Sequence, residues 1–589
     1  MLETAWHMKP VDSDDVNELA AILGTPVPIA TALIHRGLDT PRKANDFWDL
    51  SVEKLHDPWL LPDIEAVVDR LELAIKNKDH IYIHGDYDVD GVTSTAVITH
   101  SLNLFGAKFE YHVPHRINDG YDVRVKTVEA AMAAGAKILM TVDCGIVAFE
   151  AATYAKEHGI DLIITDHHHP SDDGRIPIAV GVVNPNRHDS QYPFNGLAGV
   201  GIAFKTMLAL AERIGFSHDR LMNELLDYVA LGTVADVAPM IDENRILVAL
   251  GCAQLTAANK PGVAELLKVA GVKSVNTTSI GFFLGPRINA IGRLGDSAIA
   301  LNLLLEKVPS RAAFYADILN KANEARQKKE KQTVDEALAL VPEDMEDVAI
   351  IVVAAKGWHP GLVGLVSGKI AEQYARPTLA CTINENGKAK GSCRSTRHFH
   401  ILDALKSEGC WELFSRRADG SVVCGGHAFA AGFELPEENI DLLRERLNIY
   451  AKKVSDGKVE TKRIFEIDAP MMVSHVSDLT FRHLSKMAPF GANNLEPIFL
   501  LKNVMVEEVS TVGAEGKHLK MKVKSAKSVD KSVINAIAWR RGEDAPEVGD
   551  CIDIIGKLSL EEFRGRTSLS ITVEDFKPTA PGNVTRISM

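Results

Sequence analysis

Between residues 78 and 165 this chain alternates short apolar runs with helix-length segments, and acidic or imidazole residues stand just after several of the runs. His80 to Ile83 is followed by a helical stretch from Gly91 to Leu104. Phe109 to Val113 precedes Lys126 to Ala134, Ile138 to Val142 precedes Ala148 to His158, and Asp161 to Thr165 closes the series. Such alternation predicts an α/β fold built on an open, mostly parallel sheet. Sites in sheets of this kind form outside the carboxyl ends of the strands. Four motifs are read there: His84-Gly85-Asp86-Tyr87-Asp88-Val89-Asp90-Gly91, Val142-Asp143-Cys144-Gly145, Asp166-His167-His168-His169 and Gly232-Thr233-Val234-Ala235-Asp236. The fourth, like the others, is read as following a strand-like run.

Together the motifs make the ligand set of a two-metal hydrolytic centre, with phosphoester hydrolysis as its first chemistry. Two cations about 3.5–4 Å apart activate a water and stabilise a leaving oxygen. Carboxylate oxygens with a few imidazoles suit Mn²⁺ or Mg²⁺. Asp143, alone at a strand end, is the candidate bridge between the ions. Asp86, Asp88 and Asp90 stand at alternate positions and can aim at more than one ion, although Asp90, beside a helix start, reads equally as an N-cap. His167 reads as a metal ligand. His168 reads as the group that polarises the phosphate or protonates the leaving oxygen.

Further along, Leu197 to Ile214 and Arg220 to Leu231 are predicted helices. Ser310 to Val341 is a long charged helical stretch with little apolar face. It reads as a connecting helix between lobes, and the missing heptad signal argues against a coiled coil. A second α/β block begins at Val348, with strands at Ala349 to Ala354 and Thr378 to Ile383 around a helix from Leu362 to Tyr374. Beyond Lys462, six short strand-like runs begin at Arg463, Ile498, His518, Val533, Cys551 and Thr567. Many short strands with little helix predict a small OB-like barrel. Lys517, Lys520, Lys522, Lys524 and Lys527 cluster there, and alternation puts Lys520, Lys522 and Lys524 on one strand face. That face is either solvated or a basic strip for single-stranded DNA.

A formal net charge of -14 argues against a protein that coats nucleic acid through bulk charge, though not against a nucleic-acid enzyme with a local basic channel. No apolar run reaches the length of a membrane span. The seven cysteines stand singly, without disulfide-like spacing, and no secretory signal is read, so a cytoplasmic location is expected.

The four motifs resemble those of the DHH phosphoesterase superfamily. Further segments narrow the resemblance to its single-strand-specific 5′→3′ DNA exonucleases: Val113-Pro114-His115-Arg116 with Gly120-Tyr121, Val183-Asn184-Pro185-Asn186, Pro286-Arg287-Ile288-Asn289-Ala290 with Gly292-Arg293, Trp358-His359-Pro360-Gly361, and Gly425-Gly426-His427-Ala428-Phe429-Ala430-Ala431-Gly432. The resemblance implies two α/β lobes, DHH and DHHA1, joined by a long helix and followed by the OB-like barrel. The divisions expected are 1–45, a helical cap; 46–250, the DHH domain; 251–345, a helical connector; 346–455, the DHHA1 domain; and 456–589, the OB-like domain.

The resemblance also implies roles. Asp88, Asp90, Asp143, His167 and Asp236 hold two ions, Mn²⁺ or Mg²⁺, and Asp86 and His84 complete or support the set, His84 reading equally as a residue that merely ends a strand. Arg116, Arg287, Asn289 and Arg293 contact DNA phosphates. Ser395 and either Arg394 or Arg397 grip the terminal nucleotide, with Gly425, Gly426 and His427 cradling its 5′ phosphate; alone, that last motif would read as a tight turn. The implied activity is removal of mononucleotides from the 5′ end of single-stranded DNA in repair and recombination. A helicase and a single-strand-binding protein are implied as helpers of a monomer. Two alternatives are a DHH enzyme acting on oligoribonucleotides or other small phosphate substrates, and an inactive scaffold that has lost ligands.

Overall fold

A computed structural model of the chain describes residues 4–114, 122–171, 173–294, 297–396, 399–417, 420–454, 463–526, 532–563 and 566–579. Arg116, Arg397 and Lys527 lie outside the described residues, as does the side chain of Arg293. The chain divides into two units. One holds Met1–Ala5, Pro58–Asp236 and Gly251–Arg463; the other holds Trp6–Asp57, Val237–Leu250 and Ile464–Met589.

In the first unit, strand His80–His84 buries Ile81, Tyr82 and Ile83 in succession rather than alternately. Continuous burial is what a parallel strand covered on both faces requires. Its sheet has five parallel strands in the order Lys108–His112, His80–His84, Ile138–Val142, Asp161–Thr165, Gly181–Val183. From His80–His84 the chain goes to one edge, then returns to the other side of that strand and proceeds outward. The direction of winding therefore reverses between His80–His84 and Ile138–Val142, and a crevice opens at their carboxyl ends. Helix Val89–Leu104 leaves that crevice almost wholly buried, against helices Gly199–Arg213 and His218–Ala235.

The same unit carries a second sheet, ordered Cys424–His427, Ala430–Pro436, Lys388–Arg394, Thr378–Ile383, Ile351–Lys356, of which only the last two strands run parallel. Helix Pro309–Leu338, 30 residues long, is the expected connector. It has a seam after all: Ala312, Ala316, Leu319, Asn323, Glu330, Thr333 and Ala337 are its buried residues, and they fall on one alternating three-and-four spacing. The pattern escaped the sequence because its centre is polar. Glu330 lies 2.8 Å from Arg326 and 2.7 Å from Lys369 of helix Val363–Tyr374.

In the second unit, five strands close a barrel: Phe499–Val512, His518–Ser525, Val533–Ala538, Arg566–Pro578 and Cys551–Phe563, with the first also paired to the last. Alternation holds on His518–Ser525, where Leu519, Met521 and Val523 point inward and Lys520, Lys522 and Lys524 outward. Arg463–Ile467, read as a barrel strand, instead pairs in a separate two-stranded sheet. The N-terminal helices Ser13–Leu23, Val27–His35 and Pro41–Trp48 share one core with the barrel, with Ile29 and Leu33 among Phe499, Leu501, Val504 and Val523.

Candidate metal centre

Three strand ends deliver three of the four motifs. The loop after His80–His84 carries Asp86 and Asp88, the residue after Ile138–Val142 is Asp143, and the residues after Asp161–Thr165 are Asp166, His167 and His168. The fourth motif is corrected by the structure: Asp236 does not follow a strand but closes helix His218–Ala235 as its C-terminal cap. Its approach is allowed by Gly232, where a Cβ would stand 2.3 Å from Thr93 Oγ1 and 2.8 Å from Asp90 Oδ1.

The capping role expected at Asp90 belongs to Asp88, which accepts from Gly91 N at 3.1 Å. Asp90 instead accepts from Gly199 N at 2.7 Å and Val200 N at 2.9 Å, at the start of helix Gly199–Arg213. That helix start also presses on the bridge candidate, since a Cβ on Gly199 would lie 2.5 Å from Asp143 Oδ1. Asp143 itself adopts φ 61°, in the left-handed region that Asp tolerates better than most residues.

The donor atoms gather in three overlapping triplets, each with its atoms within 4.8 Å of one another: Asp86, Asp88 and Asp143; Asp90, His167 and Asp236; and Asp143, His167 and His168. Asp143 and His167 each belong to two of them, with His167 Nε2 3.2 Å from Asp143 Oδ1. His84 is not brought into this set. It ends its strand buried, its ring stacked on His112 at 5.6 Å.

Burial and mutual repulsion shape the charges. Desolvation, then the neighbouring carboxylates Asp90, Asp88 and Asp86, hold the Asp143 carboxyl well above its usual range. Burial and the charge of Asp88 lift Asp90 to about 7, and burial with Asp90 and Asp88 lifts Asp236 to about 8. Burial pushes His167 down to about 4, leaving a neutral imidazole with a lone pair to offer. For His168 burial works in the opposite direction to its main partner. The hydrogen bond and charge of Asp166 prevail and raise it to about 9.

These residues fit a pair of hard divalent cations. Asp143 Oδ1 is buried and accepts no hydrogen bond among the described residues. Several carboxylates packed together without cations are an arrangement that added positive charge stabilises.

Sequence reading missed the residues that hold the ligands. Asp166, itself buried, receives His168 Nδ1 at 2.7 Å and Ile146 N at 2.9 Å. Asn184 Nδ2 donates to the His168 carbonyl at 2.8 Å, and Asn186 Nδ2 to the His167 carbonyl at 2.6 Å. Both asparagines lie in the Val183-Asn184-Pro185-Asn186 motif, which was the available signal. His169 is not idle in space: its ring lies 6.3 Å from that of His427.

Around the centre, helix Gly285–Leu294 passes close, because a Cβ on Gly292 would lie 2.9 Å from the Tyr87 carbonyl oxygen. On it Arg287 donates to Asn320 Oδ1 at 3.0 Å and to the Phe283 carbonyl at 2.7 Å, and Asn289 is partly exposed. In the second sheet Ser395 Oγ donates to the Phe399 carbonyl at 2.6 Å, and Arg394 Nη1 to the Cys393 carbonyl at 2.8 Å. Gly425, Gly426 and His427 lie on the exposed edge strand Cys424–His427. Gly426 has φ 148°, and a Cβ there would meet the Ala430 carbonyl oxygen at 2.4 Å, so only glycine fits this hairpin. On the barrel Lys522 pairs with Glu508 at 2.8 Å and Lys524 with Glu507, so the lysine face is interleaved with acid.

Family models match three segments: the DHH family N-terminal domain over residues 80–233, the DHHA1 domain over 347–453, and the RecJ OB domain over 467–575. The chain is 34% identical over 578 residues to the single-stranded-DNA-specific exonuclease RecJ of Bacillus subtilis, covering 97% of this chain and 70% of that protein. It is 33% identical to the protein of the same name from Salmonella typhimurium, covering 96% of this chain and 98% of that one. Among solved structures it resembles RecJ from Thermus thermophilus in complex with Mn²⁺, with a TM-score of 0.81 and 28% identity over 98% of this chain and 80% of that one.

Proposed function

The chain belongs to the RecJ family of single-stranded-DNA-specific exonucleases, and from that premise we infer that it is a metal-dependent hydrolase that removes mononucleotides from the 5′ end of single-stranded DNA. The observation that carries this reading is the overlap of the donor triplets on Asp143 and His167 at the crevice of the parallel sheet.

Asp86, Asp88 and Asp143 would hold one divalent ion, and Asp90, His167 and Asp236 the other, Mn²⁺ or Mg²⁺ in each case. When bound, the ions supply Lewis acidity to the scissile phosphodiester and to its attacking water. His84 supports the fold of this site rather than its ions. His168, kept protonated at neutral pH by Asp166, donates its proton to the leaving 3′ oxygen. Asn184 and Asn186 fix the backbone of His168 and His167, so that neither imidazole drifts from its task. Arg287, which keeps N–H donors beyond those it spends on Asn320, Phe283 and Val269, contacts phosphates together with Arg116, Asn289 and Arg293. Gly425, Gly426 and His427 receive the 5′ phosphate with Ser395 and either Arg394 or Arg397, and Lys520, Lys522 and Lys524 track the strand on the barrel.

The place of the protein in repair and recombination, its monomeric state, its cytoplasmic location, its help from a helicase and a single-strand-binding protein, and the five domain divisions belong to the same reading. No single helix among the described residues is long and apolar enough to cross a membrane. The barrel matched by the RecJ OB model weighs against a small-phosphate substrate, and the convergence of the acidic motifs weighs against an inactive scaffold.

The test is digestion of a single-stranded oligonucleotide labelled at either end, in Mn²⁺ or Mg²⁺, beside the matching duplex. Mononucleotides released first from the 5′ label, and from the single strand only, support the reading; hydrolysis of dinucleotides alone would replace it. A companion result is expected for Asp166→Asn. The amide keeps an acceptor for His168 Nδ1 but loses the charge, so kcat falls by about 10- to 100-fold while KM for DNA stays near wild type. A KM effect without a kcat effect would show that Asp166 shapes the DNA site instead.

A further inference from the structure

Just before Arg287 the backbone widens into a π-helical turn, Ile280–Leu284, which packs against helix His218–Ala235. This turn presents two adjacent rings to solvent, Phe282 75% exposed and Phe283 46% exposed. Single exposed apolar side chains are ordinary on a protein surface. Two consecutive phenylalanines held outward by a locally widened helix are not, and π-turns gather at functional sites. Their position is fixed relative to the metal centre: a Cβ on Gly285, two residues after Phe283, would lie 3.6 Å from the Ala235 Cβ, and the next residue in the chain is Asp236. The Phe283 carbonyl is also the acceptor that holds the Arg287 guanidinium at 2.7 Å. Flat rings beside an arginine and an acidic metal centre make a surface for a nucleobase rather than for a phosphate or an ion.

We propose that Phe282 and Phe283 form a stacking subsite for the nucleobases of single-stranded DNA, on the Asp236 side of the metal centre. The proposal rests on the exonuclease reading and deepens it, because it adds recognition of unpaired bases to a centre whose other contacts are to phosphate. Bases stacked on the two rings are unavailable for pairing, so the subsite favours a strand already single. The platform is indifferent to base identity, since every base offers a π-face.

The experiment is steady-state kinetics on a single-stranded oligonucleotide in Mn²⁺ with the full chain as wild type, Phe282→Ala, Phe283→Ala, Phe282→Leu and Phe282→Tyr. Each is repeated on a strand whose residues behind the 5′ end are abasic. Each alanine variant is expected to raise KM by about 5- to 150-fold on the normal strand. Leucine fails to restore it and tyrosine does restore it. On the abasic strand KM is already raised for wild type, and the alanine variants raise it no further. Unchanged KM in both alanine variants, with an active wild type, overturns the subsite and leaves the exonuclease reading standing. An equal rise on normal and abasic strands also overturns it, because the rings would then act through the fold or the DNA backbone. A wild type that digests no DNA overturns the exonuclease reading and the subsite with it.

Discussion

Asp143→Ala will stop the release of nucleotides from single-stranded DNA, lowering kcat by on the order of 10³-fold or more, while raising the stability of the metal-free protein. The first effect follows from geometry. Asp143 belongs to the Asp86 and Asp88 triplet of one ion and stands 3.2 Å from His167 Nε2, a ligand of the other, so its removal opens the first ion site and takes a carboxylate from the edge of the second. Metal stabilisation of a phosphoryl transition state amounts to several kcal/mol, and each 1.36 kcal/mol is tenfold in rate. The second effect follows from electrostatics. The carboxyl is buried and faces Asp90, Asp88, Asp86 and Asp236, and without cations that crowding is repulsive. Deleting one charge relieves it, the usual relation between an active site and the fold that carries it. Single-turnover digestion of an end-labelled strand measures the first effect, and thermal unfolding in a chelator measures the second. Residual activity within tenfold of wild type would remove Asp143 from the bridging role. An unfolding midpoint that falls in the chelator would mean that the carboxylate is a structural anchor.

The metal-free protein will also lose stability as pH rises from about 4 to about 8, and Mn²⁺ or Mg²⁺ will restore it. Asp90 is lifted to about 7 and Asp236 to about 8 in the folded chain, by burial first and neighbouring carboxylates second. An unfolded Asp titrates near 3.9. The folded state therefore binds more protons than the unfolded state in this window, and its stability falls with rising pH. Below about pH 4 both states are protonated at these sites and the contribution is fully present. Cations bind the deprotonated ligands, so protons compete with them and apparent metal affinity weakens as pH falls. At about 100 times its Kd, a metal adds roughly 2.7 kcal/mol, or about 3 °C of unfolding midpoint for a unit as large as the first, at about 2.1 cal/mol/K per residue. Unfolding midpoints recorded across pH, in chelator and in Mn²⁺, are the measurement. A metal-free midpoint that stays level between pH 4 and 8 would contradict the crowded-carboxylate account.

The parallel sheet and the acidic residues at its strand ends were legible because both signals are local: a run of apolar residues, then a carboxylate. Asp236 was legible as a member of the set but not as a helix cap, since a short motif after an apolar run looks alike after strand or helix. The cap at Asp88 and the two backbone donors to Asp90 were not legible. Gly199 and Val200 are more than a hundred residues from Asp90, and no periodicity records that meeting. Asp166, Asn184 and Asn186 were hidden for the same reason, as they act on the backbone and ring of neighbouring segments and not on an ion. The seam of helix Pro309–Leu338 was missed because a hydrophobic search cannot see Asn323, Arg326 and Glu330 as an inward face. Nor could the sequence tell that helices near residue 30 would share a core with strands beyond residue 499, a pairing with no local trace.

Asp90 answers to two authorities. Its two oxygens are the anchorage for the start of helix Gly199–Arg213, and one of them also faces the centre shared with His167 and Asp236. Asparagine would leave the helix one acceptor and rob the centre of its charge; glutamate would keep the charge but carry it a methylene beyond both backbone donors. A position governed by two independent demands admits only what satisfies both, so neither helix nor ion site can be retuned through it separately. Changes in metal preference must therefore enter by other doors, at ligands such as Asp236, whose backbone closes a helix while its carboxylate is left to the ion.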